Sequence, residues 1–201
     1  MSGITTEQAA ASGRRREPSD GFRRVIEQLT HCPILQALFA YWSGRCGKRA
    51  MPDRRDIDPV TLPPFVLPNL AMFDLVEGAR RVRVRLLGTD VVARFGKDFT
   101  GRFIDEVMSG DYLDYISALC REVHARRAPV YTENQFRWQV RQDIVTRRLL
   151  LPLTNGADEP AILLAGMTFD IAHDQLDGPI RFNGMTQHTE LKRHIFAAQP
   201  A

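Results

Sequence analysis

The side chains that could do chemistry in this chain are a few acids, three cysteines and five histidines, and their spacing decides what they can do. Asp56 and Asp58 stand two apart beside Pro59. Such a pair could hold a metal or share acid/base work. Asp58-Pro59 is equally a helix N-cap followed by a first-turn proline, and Arg54 and Arg55 are at hand to pair with the acids. The capping role is the expectation. His31, Cys32 and Cys46 surround a proline at a spacing that matches no zinc site. His188 and His194 are six residues apart, whereas two ligands on one helix face need a separation of three or four. Asp74, inside an apolar stretch, is the one acid to nominate for an enzyme of isomerase or hydratase type. No phosphate-cradling glycine loop, no Gly-x-Ser-x-Gly and no His-Glu-x-x-His occurs. Catalytic residues, metal and cofactor are therefore all expected to be absent, and the chain is read as a non-enzyme.

The balance of charge points weakly elsewhere. A net charge of +3 and a pI near 9.0 invite a nucleic-acid partner. The arginines are scattered, however, and Lys48, Lys97 and Lys192 are the sole lysines. The run Arg80, Arg81, Arg83, Arg85 reads as the solvated face of a strand. Nucleic acid is thus a rival reading rather than the expected one. Cys32, Cys46 and Cys120 are too few and too irregular for a disulfide framework, which favours a reducing compartment. No apolar run approaches a membrane span or a signal-peptide core. A cytoplasmic protein without membrane contact is the expectation.

These residues must be positioned by local elements. Residues 1–18 are small, polar and arginine-rich and read as a disordered arm. Residues 19–49 read as a helical flank. Phe22, Val25, Ile26 and Leu29 recur at helical spacing. Pro33 then opens a second helix crowded with Ile34, Leu35, Leu38, Phe39, Tyr41 and Trp42. That helix carries more apolar surface than one domain face needs, so a homodimer through residues 33–43 is expected.

Asn69 to Val76 reads as a first strand. Arg81 to Leu86 is a second, with Val82, Val84 and Leu86 alternating against arginines. Gly88 stops it. Thr89 or Asp90 caps a short helix, and Gly96 ends that helix in the left-handed conformation. Asp111 caps a long helix to about Arg127, with Leu113, Ile116, Leu119, Cys120 and Val123 as its buried stripe. Three strands follow, at 130–140, 144–153 and 161–169, the last apolar on both faces and so central. Residues 171–201 read as an extension containing a loop and a short helix over 186–196.

The motifs Asp56-Ile57-Asp58-Pro59, Arg85-Leu86-Leu87-Gly88-Thr89, Gly96 to Arg102 and Leu151-Pro152-Leu153, in this element order, resemble the bacterial single-domain PAS proteins. The resemblance covers roughly residues 50–170. It implies an α+β fold, with a five-stranded antiparallel sheet whose one face is covered by helices. It further implies a sensory or protein-interaction module whose output passes through a dimer or a signalling partner. Some PAS sensors hold haem through a histidine on the long helix. His124 lies on that helix, but beside Glu122, Arg126 and Arg127, which places it at an edge. The Asn-Cys-Arg run of flavin-linking PAS domains is absent, so the protein should be colourless. Cys120 reads as a small core residue.

What remains is the apolar interior between sheet and helices, either filled or open as a small-molecule pocket. Alternation nominates Phe73, Leu86, Val91, Phe95, Ile116, Phe136, Leu151 and Met167 as its lining, with no charged residue among them. A ligand there would be apolar or weakly polar.

Overall fold

A computed structural model describes residues 25–28, 30–138, 142–171, 180 and 185–197. The expected arm, most of the first flanking helix and the loop after residue 172 fall outside them, apart from Ile180. Helix α1 (Pro33–Cys46) starts at the proline foreseen for it. Short turns at Arg54–Asp56, Pro59–Thr61 and Pro64–Asn69 lead into strand β1 (Leu70–Val76) and strand β2 (Arg81–Leu87). Helix α2 (Thr89–Phe95), a turn at Ile104–Glu106 and helix α3 (Gly110–Arg126) form the crossing segment. Strands β3 (Val130–Trp138), β4 (Gln142–Leu153), β5 (Ile162–Ile171) and β6 (Met185–Ile195) complete the chain.

All strands join one antiparallel sheet in the order β2-β1-β5-β4-β3-β6. Among the described residues the sheet therefore has six strands rather than the five expected. The sixth is the stretch read above as a short helix over 186–196. Thr186, Gln187, His188 and Thr189 give it little helical drive, and the unpaired edge of β3 supplies a hydrogen-bonding template.

The local signals worked in most places, and the exceptions have simple causes. Asp58 caps its turn through Val60 N–H, with Pro59 next, as expected. Asp56 pairs with Arg49 at 2.7 Å instead of Arg54 or Arg55, and the same Oδ2 accepts from the Asp53 N–H in a capping box. Neither Thr89 nor Asp90 caps α2. Gly88 holds that position, and Asp90 instead accepts from Asn69. Gly88 must be glycine for a steric reason: a Cβ there would sit 2.3 Å from the Pro68 carbonyl oxygen. Gly96 does end α2 in the left-handed region, at φ 67°. Ser109, not Asp111, precedes α3, and no side chain caps it.

The sheet is covered on both faces. On its back, α1 lays Leu35, Leu38, Phe39 and Trp42 against Leu149, Leu151, Leu153, Ile162 and Leu164, all essentially unexposed. Gly166 makes room: a Cβ on it would meet Leu35 and Leu38 at 2.7 and 2.8 Å. The Trp42 indole N–H donates to the Pro152 carbonyl at 3.0 Å, so even its polar handle is satisfied inside. On the front, α2, the turn at 104–106 and α3 close over Ala71, Val82, Val84, Leu150, Leu163, Ala165 and Met167.

Candidate functional site

The front layer does not fill completely. A cavity of about 60 Å³ lies between the β1-β2-β5-β4 surface and the helices. Phe73 of β1, Val82, Val84 and Leu87 of β2, and Met167 of β5 form its floor. Phe95 of α2, Phe99, Ile104, Val107 and Met108 form one wall, and Tyr112, Ile116, Leu119 and Cys120 of α3 form the roof. Arg148 and Leu150 of β4 close the remaining side. The volume is small, well below the roughly 300–1,000 Å³ of a drug-sized site.

The eight nominated residues divide by strand parity. Phe73, Phe95, Ile116 and Met167 line the cavity. Val91 is fully buried in the same front core but does not reach it. Phe136 is buried beside it, edge-on to Tyr112 with ring centroids 5.1 Å apart. Leu86 is 47% exposed and outside the cavity. The cause is a β-bulge: Met72 faces Leu86 but Phe73 faces Val84, so Arg85 is an extra residue and the alternation flips after it. Leu87, not Leu86, therefore turns inward. Leu151 lies on the back face against α1, because β4 is apolar on both sides and alternation could not choose between Leu150 and Leu151.

Sequence reasoning missed Arg148, and with it the charge in the wall. The signal was present. Arg147 and Arg148 are adjacent in one strand, so the two must point to opposite faces. Arg147 reaches outward to Glu133 and Asp170. Arg148 turns into the front core and is 4% exposed. Its Nη1 donates to Asn134 Oδ1 at 3.0 Å and its Nη2 donates to the Tyr112 hydroxyl. The guanidinium carbon lies 5.3 Å from the Phe136 ring centre and 5.7 Å from that of Tyr112. Its Nε–H has no partner among the described residues.

A polar ledge surrounds this arginine. Asn134 also donates to Tyr115 Oη at 3.0 Å and contacts His188 Nε2 at 3.0 Å. Tyr115 donates to Glu190, which Arg193 holds through bonds of 2.8 and 3.0 Å. Burial, reinforced by the Arg148 charge, holds the His188 imidazole below its ordinary range, with Glu190 opposing. Burial pushes the Cys120 thiol up to about 12, a little relieved by Arg121 and Arg148. That thiol stays protonated and unreactive. Strand β6, read above as a helix, supplies His188, Glu190 and Arg193 to this ledge.

The other candidates stand apart from the cavity. His124 Nδ1 contacts the Pro160 carbonyl at 2.9 Å, and His124 is not in the lining. Asp74 shares the parity of Leu70 and Met72, which face α1, and Arg83 and Arg85 each bind it at 2.8 Å. It points away from the cavity. Among the described residues no group of three or more His, Cys, Asp or Glu could hold a metal. No helix there is long and apolar enough to cross a membrane.

No curated protein and no solved structure matches the chain significantly. A family model described as PAS domain matches residues 30–168, a span that takes in α1 and every strand up to β5. With helices crossing one face of an antiparallel sheet in the order β2-β1-β5-β4-β3, the chain belongs to the PAS domain family.

Proposed function

We propose that this protein is a non-catalytic cytoplasmic PAS module that senses a small, mainly apolar molecule in the sheet–helix cavity and signals through a protein partner. The observation that carries the reading is the cavity itself, lined almost wholly by aliphatic and aromatic side chains on a family fold suited to sensing. The acid nominated for catalysis faces away from that space, which weighs against the enzyme reading. The arginine stripe of β2 is largely neutralised by Asp74 and Asp105, which weighs against nucleic acid. Free cysteines at 32, 46 and 120 fit a reducing compartment.

A homodimer through α1 remains part of this proposal, but by a different surface. Leu35, Leu38, Phe39 and Trp42 are spent on the domain's own sheet, so the contact would use the outward Ala40 and Gly44. Native mass spectrometry and thermal shift against a metabolite set test the ligand reading. A retained small molecule, or stabilisation abolished by Leu87→Phe or Ala165→Leu, supports it. Equal melting of wild type and filled variants with every compound would leave a pure interaction module.

A further inference from the structure

We infer that the ligand carries a carboxylate, and that Arg148 is the residue that binds it. The inference rests on the reading of the cavity as a ligand site and adds the chemistry of the ligand's head. A buried cation is costly without a counter-charge. Arg148 is 4% exposed, and no Asp or Glu among the described residues forms an ion pair with it. Among the described residues its hydrogen-bond partners are a neutral amide and a neutral hydroxyl, and its Nε–H has none. The acid of the ledge, Glu190, is taken by Arg193 and Tyr115.

A second orphan stands beside it. Thr132 is the residue directly across from Arg148 in the β3–β4 ladder, on the same face; it is fully buried behind the cavity lining, and its hydroxyl has no partner among the described residues. Arg148 reaches the cavity wall and Thr132 stands behind it, so a buried cation with unmet hydrogen-bonding capacity borders the apolar space, which suits an anion. Among the described residues Arg148 is the one charged member of the cavity lining, which suits a single negative charge rather than a phosphate dianion. A planar guanidinium offers Nε and a neighbouring Nη as a side-on fork, which matches the two oxygens of a carboxylate. Beyond the head, Phe73, Phe95, Phe99, Ile104 and Met167 offer only apolar surface. The occupant is then a short aliphatic or aromatic carboxylic acid, bound as its anion.

The test titrates the full chain with matched pairs: butyrate and butyramide, isovalerate and isovaleramide, benzoate and benzamide. Calorimetry and thermal shift read the affinities. The expected result is that in at least one pair the acid binds about tenfold tighter or more than its amide. Arg148→Met should erase that preference, and Thr132→Val should reduce it. If acid and amide bind equally well, the carboxylate inference fails while the apolar site stands. If no member of any pair binds, both fail together. A preference that survives in Arg148→Met overturns the role of that residue. Should Arg148→Met not fold, the wild-type pairs and Thr132→Val still decide the matter.

Discussion

Leu86 and Leu87 are neighbours of one residue type with opposite fates, and the difference is a single extra residue, Arg85, in the β2 ladder. Leu86→Ser should therefore change the unfolding free energy by less than about 0.5 kcal/mol, as surface substitutions usually do. Leu119→Ala, in the fully buried roof of the cavity, should cost about 2–5 kcal/mol. Urea denaturation of the two variants makes the comparison, and a large loss in Leu86→Ser would contradict the bulge. His188 gives a second prediction at this scale. Its folded-state pKa is depressed by burial and by Arg148. As pH falls, the unfolded chain takes up the proton first, so the stabilisation is present above about 6.5 and is lost as pH drops through that value. His194 shifts in the same direction, from burial and Lys192. The urea midpoint should decline between about pH 7 and pH 5.5, and decline less in His188→Asn. An identical slope in that variant would show that His188 does not contribute.

At the scale of elements, α1 shows how far sequence can be read. Its apolar excess was legible, but its target was not, since the same residues fit a partner subunit or the chain's own sheet. Gly166 settles the question: a glycine in a central strand, filled from outside by Leu35 and Leu38, marks the approach of a packed helix. Gly166→Ala should cost about 1–3 kcal/mol, because both leucines must shift. Leu38→Asp should prevent folding rather than yield a folded monomer, because it buries a charge among leucines. Circular dichroism and light scattering distinguish the outcomes, and a folded Leu38→Asp protein would overturn the docking of α1. The order of β1 to β5 was legible because each strand has β-branched residues, alternation or a turn signal at its ends. Arg148 was harder to place, although Arg147-Arg148 in one strand required one inward guanidinium. In the lining, alternation failed in two ways: the extra residue Arg85 flipped it on β2, and it is silent on β4, where Leu149 to Leu151 are buried on both faces.

For the whole molecule, β6 is the element that the sequence concealed. Its polar run, Thr189 to Arg193, looks neither like a strand nor like a core helix, and it becomes a strand because the β3 edge is available along its length. Removing residues 185–201 should expose that edge, together with Phe136 and Tyr131, which β6 now flanks. The truncated protein should melt lower and associate at its bare edge. Sedimentation of the full and shortened chains measures this, and an unchanged oligomeric state with equal stability would show that β6 is an accessory.

The same pairing sets an order of events during synthesis. Strands β3, β4 and β5 are linked by nearest-neighbour hairpins and can form as soon as they emerge, whereas β6 must return across the whole meander to reach β3. Long-range pairing of this kind forms late. Until residue 195 has left the ribosome, the nascent domain carries an open edge, and Glu190 is not yet in place beside Tyr115. The interval between release of β5 and release of β6 is thus the window in which a chaperone, or a second nascent copy, can compete for that edge.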